Sequence, residues 1–239
     1  MAGLSLLLRR GGLAPHPVTN DYLKIEDEEV LRILIEKGVS ADGIGVTKED
    51  AMAVTSISTW FSNNTLVKDL SILNEFENVT ELAPAAFSSC SAEVVGLDNI
   101  VRFGKQNTFN KSGIKRVYAP KLEYIGDYYT FAGSSNLEYV DSLGIITAIP
   151  RCLDNCKNLK KVVFPETLAT MSAQVFYGST VQVLIVEATT PPAFEGNNYF
   201  AGGTVNAIYV PAASLADYKA AYGWKNHASK IKGISEYNG

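Results

Sequence analysis

The residues that could do chemistry are few: the chain of 239 residues has three cysteines and two histidines. A structural zinc site takes four ligands, and Cys152 with Cys156 could supply only half of one, because no second ligand pair stands elsewhere. His16 lies between two prolines near the start and His227 lies near the end, too far apart for a catalytic dyad. We therefore expect no metal, no cofactor and no histidine-based catalysis.

The sequence motifs of common enzymes are also missing. The chain has no Gly-x-Ser-x-Gly segment, no P-loop and no His-Glu pair of the zinc hydrolases. Gly43 and Gly45 are spaced as in a nucleotide site, but they lack the third glycine and the preceding strand. We therefore predict a protein that is not an enzyme.

One loop has the outline of a calcium site, with an Asp-Gly turn between two predicted helices. If Gly43 took the sixth position of such a loop, Asp42 would be fifth and Glu49 twelfth. The first and third positions would then be Gly38 and Ser40, where oxygen ligands are missing or weak. We predict a degenerate loop within a helical cap, without a bound metal.

The charge balance and hydropathy exclude other classes. The net charge is −4 and the lysines and arginines are dispersed, so nothing favours binding to nucleic acid. No segment approaches the roughly 20 apolar residues of a membrane helix. The first apolar run is too short for a signal peptide, and Arg9 and Arg10 follow it instead of preceding it. We expect neither membrane insertion nor a visible export signal.

Two periodic series of large apolar residues, here called ladders, are expected to form the core that positions the surface residues. Their members follow one another at intervals of 22 to 24 residues. The first ladder is Phe87, Phe109, Phe131, Leu153, Phe176 and Phe200, and the second is Val95, Val117, Val140, Val162, Leu184 and Ile208. A fixed period in the twenties is typical of a solenoid whose coils each add a strand to one continuous core.

Each coil is expected to hold a short strand with two different faces. In the clearest copy, alternation points Val162 and Phe164 inward and Lys161 and Val163 outward, and Pro165 ends the strand. A cysteine or serine stands three residues after five of the ladder residues, which indicates a small buried turn position: Cys90, Ser112, Ser134, Cys156 and Ser179.

These patterns predict a mostly β fold with a few short helices. They also divide the chain into four segments. Residues 1–24 form an N-terminal arm, and residues 25–68 form a helical cap that contains the degenerate loop. Residues 69–203 form a solenoid of five to six coils, and residues 204–239 form a C-terminal cap with one short helix. Caps are expected because an open solenoid end would expose apolar strand edges.

The coils resemble the BspA-like leucine-rich repeats that are common in gut Bacteroidetes. The resemblance rests on a Phe-x-x-Cys/Ser phrase, an Asn-Leu-x-x-Val-x-x-Pro phrase and a short apolar edge, repeated in that order. It covers roughly residues 40–235, because residues 190–194 look like the family's lead into its last coil and residues 207–211 look like its closing segment. The resemblance implies a leucine-rich-repeat solenoid that recognises a protein or glycan through one face without catalysis.

The outward strand positions are the predicted binding face. They mix tyrosine, arginine and aliphatic residues, which is the composition of protein-recognition patches. The candidates are Arg116, Tyr118, Tyr139, Asp141, Lys161, Val163, Val183 and Ile185. The alternative is an ordinary solvent-facing sheet. Tyr128, Tyr129 and Tyr177, near the turns, are weaker candidates.

The N-terminal arm is too rich in leucine for an idle tail. Its apolar residues are Leu4, Leu6, Leu7, Leu8 and Leu13. Either the arm packs against the first coil of its own chain, or it anchors the chain in another protein, including a further copy of itself.

We expect a structural component of a larger assembly that the arm anchors. A fibre or decoration protein of a Bacteroidetes phage virion, put together in the bacterial cytoplasm, is one such setting, and the lack of a visible export signal favours it. The alternative is a bacterial cell-surface adhesin that binds a protein or glycan of the host or of a neighbouring cell.

Overall fold

The computed structural model describes residues 21–144, 147–148, 151–172, 174–196, 200 and 202–238. Two α-helices precede the repeats, α1 (Glu28–Glu36) and α2 (Lys48–Ala53), and α3 (Leu215–Ala220) follows them. The strands are β1 (Asp69–Leu70), β2 (Val94–Val95), β3 (Arg116–Ala119), β4 (Tyr139–Leu143), β5 (Thr147–Ala148), β6 (Leu159–Phe164), β7 (Thr170–Ser172), β8 (Thr180–Val186), β9 (Ala193–Glu195), β10 (Thr204–Val210) and β11 (Ile231–Gly233). Short 3₁₀ helices span Ser71–Glu75, Ala212–Ser214, Trp224–Lys230 and Ile234–Glu236.

One aspartate joins the N-terminal helices to the repeats. Asp27 is the N-cap of α1, where one carboxylate oxygen accepts hydrogen bonds from the backbone N–H groups of Glu29 and Val30. The other oxygen accepts from the backbone N–H groups of Lys68 and Asp69, at the start of β1. Helix α1 therefore lies against the first strand, and it buries the apolar face formed by Val30, Ile33 and Leu34.

The second apolar ladder lines a long parallel sheet, whose six strands lie in the order β11-β10-β8-β6-β4-β3. Consecutive ladder members face each other in the pairs Val117–Val140, Val140–Val162, Val162–Leu184 and Leu184–Ile208. All five residues are fully buried, which confirms the predicted inward alternation for this part of the ladder. Val95 differs from the prediction, because it is half-buried in β2, which pairs with β1 in a separate two-stranded sheet.

A second parallel sheet stacks the short edges that follow the main strands. Strands β5, β7 and β9 lie side by side in this sheet. Isolated parallel bridges continue the same position upstream, from Glu81 to Arg102 and from Arg102 to Tyr124. Most repeats therefore pair with their neighbours at two places, which produces a β-rich repeat fold.

The first apolar ladder forms a stack of side chains in the interior. The ring centroid of Phe109 lies 5.0 Å from that of Phe87 and 5.2 Å from that of Phe131, and the three rings are nearly parallel. Farther along, the rings of Phe176 and Phe200 are 5.7 Å apart. The six members, Phe87, Phe109, Phe131, Leu153, Phe176 and Phe200, are at most 4% exposed, which confirms the prediction of a shared core.

A left-handed backbone residue follows each rung of this stack. Phe61, whose ring lies 6.2 Å from that of Phe87, adds a rung upstream of the predicted ladder. The second residue after each rung has φ between 53° and 73°: Asn63, Ser89, Lys111, Gly133, Asn155, Gly178 and Gly202. Glycine and asparagine tolerate this conformation best, which explains why they occupy five of the seven positions.

Serine and cysteine alternate at the small turn position because both carry a hydrogen-bond donor. The Ser134 hydroxyl donates to the Phe109 carbonyl oxygen at 2.6 Å, and the Cys156 thiol donates to the Phe131 carbonyl oxygen at 3.2 Å. Ser179 repeats this bond one coil later. The predicted small buried position thus also connects three of the repeats to the previous one. The three cysteines are all buried.

The C-terminal segment first extends the main sheet and then covers its end. Strand β10 pairs with β8, and β11 pairs with β10, so residues predicted as a cap begin with a strand of the sheet. Tyr218 and Trp224 are fully buried, and they donate hydrogen bonds to the carbonyl oxygens of Ala188 and Pro192 at 2.7 and 2.8 Å. Two large aromatic side chains with satisfied polar atoms therefore cover the last repeat.

Candidate functional site

The outward positions of the six-stranded sheet form rows, because parallel pairing keeps equivalent residues of successive repeats adjacent. One row contains Arg116, Tyr139, Lys161, Val183 and Ala207. The other row contains Tyr118 paired with Asp141, and Val163 paired with Ile185 and through it with Tyr209; the pairing of β4 with β6 ends one residue before Asp141 and Val163. All eight candidate residues of the predicted binding face fall in these two rows. Their role in binding stays a prediction.

The half of this face formed by β3, β4 and β6 is aromatic and charged. The guanidinium carbon of Arg116 lies 4.6 Å from the centroid of the Tyr139 ring, and the Lys160 Nζ lies 5.8 Å from the same centroid. Tyr118 stands in the neighbouring row with half of its surface exposed. The face therefore presents one aromatic side chain to solvent and holds a second between two cations.

The charges on this half are mostly paired with one another. Lys161 Nζ lies 3.4 Å from Asp141 Oδ1, and Lys160 Nζ lies 2.8 Å from Glu138 Oε2. The hydrogen bond that Lys160 donates to Glu138 raises the pKa of Lys160. Partly exposed pairs of this kind contribute little to stability, but they leave the face with little uncompensated charge.

The other half of the face, on β6, β8 and β10, is mostly aliphatic, and Tyr209 is its aromatic member. Val163 and Val183 are half-buried there. Ile185 points outward by alternation, between the inward Leu184 and Val186, yet it is only 8% exposed. Ile185 lies on β8, which is paired with β6 on one side and β10 on the other. Its neighbours in the row, Val163 and Tyr209, can therefore cover its outward side chain. It therefore offers less accessible surface than the alternation alone predicts.

Sequence reasoning missed one cationic residue at the turns. The guanidinium carbon of Arg151 lies 4.4 Å from the Tyr177 ring centroid and 6.0 Å from that of Tyr129. The rings of Tyr128 and Tyr129 are 6.2 Å apart, so the three tyrosines named as weaker candidates share a surface with Arg151. A signal was present in the sequence, because Tyr129 and Arg151 each stand two residues before a rung of the first ladder.

The groups that could do chemistry are not brought together in the part of the chain that the structure describes. His227 packs edge-on against Phe200, with ring centroids 4.8 Å apart, and burial lowers its pKa. Burial raises the pKa of the Cys90 and Cys156 thiols, which disfavours the reactive thiolate. Among the described residues, no three His, Cys, Asp or Glu side chains cluster as metal ligands. His16 lies outside them.

The degenerate Asp-Gly loop is closed by hydrogen bonds of its own. Asp42 Oδ1 accepts from the Ile44 backbone N–H at 2.8 Å and from the Ser40 hydroxyl at 3.0 Å. Its other oxygen accepts from the Tyr22 hydroxyl, and this hydrogen bond lowers the pKa of Asp42 to about 2. The carboxylate therefore holds the turn and ties it to the residues before α1.

The predicted anchor lies outside the described residues, and its role stays a prediction. Its members are Leu4, Leu6, Leu7, Leu8 and Leu13. Among the described helices, none has the length and the apolar character to cross a membrane.

The two apolar ladders, the parallel strands and the repeated turns match a known family. A comparison with protein-family models finds six copies of the BspA type leucine rich repeat region over residues 55–182, more than half of the chain. The chain belongs to this family. BspA-type repeats are generally non-catalytic modules for binding proteins, and no enzyme domain is matched. A search of curated proteins finds no significant match.

Proposed function

We propose that the chain is a protein-recognition module that binds its partner through the outward face of the six-stranded sheet. The observation that carries this proposal is the pair of registered rows, in which Arg116 stacks on Tyr139 beside the half-exposed Tyr118. Tyrosine and arginine are the residue types that most often dominate the binding energy of protein interfaces.

The sheet also lowers the cost of binding. Its four inner strands are hydrogen-bonded to a neighbour on each side, and β3 is hydrogen-bonded to β4, so the side chains of a row are held in place before a partner arrives. The pairing of Lys161 with Asp141 and of Lys160 with Glu138 leaves few charges for the partner to neutralise. A partner with an apolar centre and a polar rim fits this face, with its centre over Tyr118 and Val163.

The test compares variants in their binding to the protein that the wild-type chain recovers from its source. Tyr118→Ala should raise the dissociation constant by about 30-fold, because an aromatic anchor contributes about 2 kcal/mol. Tyr222→Ala is the matched control, since Tyr222 is 65% exposed, follows α3 and belongs to neither row. Wild-type affinity in Tyr118→Ala and Tyr139→Ala variants would place the contact elsewhere and refute the proposal.

We further propose that the module works inside a larger assembly, to which the N-terminal arm attaches it. The support is the clustering of five leucines within the first thirteen residues, which gives a short segment enough apolar surface to dock into another protein or another copy. A fibre or decoration protein of a phage virion, assembled in the bacterial cytoplasm, is the setting we propose. Family membership favours a second candidate, a cell-surface adhesin that binds a protein or glycan.

Deletion of residues 1–24 separates these two candidates. An assembly component should lose its incorporation into particles, as measured by sedimentation of the particle fraction, while its folded repeats keep their melting temperature. An adhesin should stay soluble and bind its ligand as the full chain does. Unchanged incorporation after the deletion would reject the anchoring role of the arm.

A further inference from the structure

A second exposed surface lies along the turns, outside the sheet rows. Tyr129 and Tyr177 are each more than one third exposed, and the Arg151 guanidinium lies 4.4 Å from the second ring and 6.0 Å from the first. Tyr128, half exposed, adjoins Tyr129. Two large exposed aromatic side chains therefore flank one cation at this edge, and a third lies beside one of them.

The guanidinium of Arg151 is held in position along its inner edge. Its Nε donates to Gln174 Oε1 at 3.1 Å, and its Nη1 lies 3.4 Å from Asp154 Oδ2. The Asp154 side chain is only 4% exposed, whereas that of Arg151 is 31% exposed. These contacts engage Nε and Nη1, so the partly exposed guanidinium can still bind a carboxylate through Nη1 and Nη2 with two parallel hydrogen bonds.

Two further cations adjoin this edge. Lys111 packs against Gly133, and Lys157 Nζ donates to the Gly178 carbonyl oxygen. Neither forms an ion pair with any described residue, in contrast to the paired lysines of the sheet face. The buried Asp154 interacts electrostatically with Lys157 as well as with Arg151.

We propose that this turn edge, formed by Tyr129, Arg151, Tyr177, Lys111 and Lys157, binds an acidic segment of a partner protein. A glutamate or aspartate of the segment pairs with Arg151, its neighbouring side chains pack on the two tyrosines, and the lysines attract further carboxylates. Tyrosine and arginine are the residues of protein hot spots, and three cations are too few for the phosphate contacts that hold a nucleic acid. This contact is independent of the sheet face.

The probe is a fluorescein-labelled peptide of four Glu-Tyr-Gly repeats, compared with one of four Gln-Tyr-Gly repeats. Fluorescence anisotropy with the full chain should show about tenfold tighter binding of the glutamate peptide, and raising the salt concentration should reduce that preference. Arg151→Gln should abolish the preference. Arg151→Lys should retain part of it, because lysine keeps the charge but loses the planar fork.

Two controls keep the result interpretable. Arg102→Gln removes an arginine that stacks on Tyr124 at the same 4.4 Å, but on another side of the repeats, and it should bind the peptide as the wild type does. Arg151→Gln leaves the buried Asp154 without its partner, so Arg151→Gln/Asp154→Asn is measured as well, with its melting temperature by circular dichroism.

Several outcomes would overturn the proposal. Equal binding of the two peptides to the wild type, or an undiminished glutamate preference in a folded Arg151→Gln/Asp154→Asn variant, would show that the edge does not select carboxylates. Tighter binding of polygalacturonate than of the glutamate peptide would assign the edge to an anionic glycan instead. None of these outcomes bears on the sheet face, whose own variants, Tyr118→Ala and Tyr139→Ala, should leave the binding of the peptide unchanged.

Discussion

The inward and outward positions of the same strands differ in how strictly they repeat. Inward, the register positions Val117, Val140 and Val162 keep one residue type and are fully buried. Outward, the adjacent positions Arg116, Tyr139 and Lys161 change chemistry at every step. Each repeat must stack on the next, which constrains its interior, whereas nothing in the stacking constrains its surface. The surface of such a protein is therefore where its individual function is found.

The largest expected difference in stability between inward and outward positions is that between truncations of Phe131 and Tyr118. Phe131→Ala should lower the free energy of unfolding by about 3–5 kcal/mol, because it opens a cavity between stacked rings. Urea denaturation followed by circular dichroism measures the loss. Tyr118→Ala, a truncation of an exposed aromatic residue, should change stability by only about 0.5 kcal/mol. Similar losses in the two variants would erase the contrast between inward and outward positions.

A smaller effect is expected at the small turn position. Ser134→Ala should cost about 1–3 kcal/mol, because the buried Phe109 carbonyl oxygen and the Ser112 N–H lose a hydrogen-bond partner. Ser134→Cys should recover part of this loss in the same denaturation experiment, since Cys156 makes the equivalent bond one coil later. If alanine proved as stable as serine, the position would require only small size.

The smallest effect is expected for a charge pair of the outward face. Lys160→Gln breaks the contact with Glu138, whose side chain is one third exposed, while that of Lys160 is nearly half exposed. The free energy of unfolding should fall by no more than about 1 kcal/mol, and the difference should shrink in high salt. A loss as large as that of Ser134→Ala would mean that the outward charges stabilise the fold and are not free to vary.

The repeat made much of the fold predictable. Each ladder member stands in a local phrase that recurs at one period, so the burial of Phe109 or Val140 follows from comparing repeats within the sequence. The placement of the outward candidates in two rows follows from the same period. The half-burial of Val95 could not be predicted in this way, because the sequence period does not reveal that β2 pairs with β1 in a separate two-stranded sheet.

The candidate sites were harder to predict, because their contacts join residues that do not repeat. The stacking of Arg151 on Tyr177 depends on the side-chain conformations of two different repeats, and the low exposure of Ile185 depends on which neighbours flank it. The bond from Asp27 to the backbone of Lys68 crosses forty-one residues without a periodic signal.

The amino-acid sequence alone thus specifies the period, the inward residues and the family. Each repeat must stack on the next, so every repeat carries apolar residues at the same positions. Folding adds what no single repeat contains: the pairing of charges along the sheet face, the grouping of cations and tyrosines at the turn edge, and the attachment of the N-terminal helix. These depend on distances between side chains that are remote in the chain, and only the packed arrangement of the repeats sets those distances.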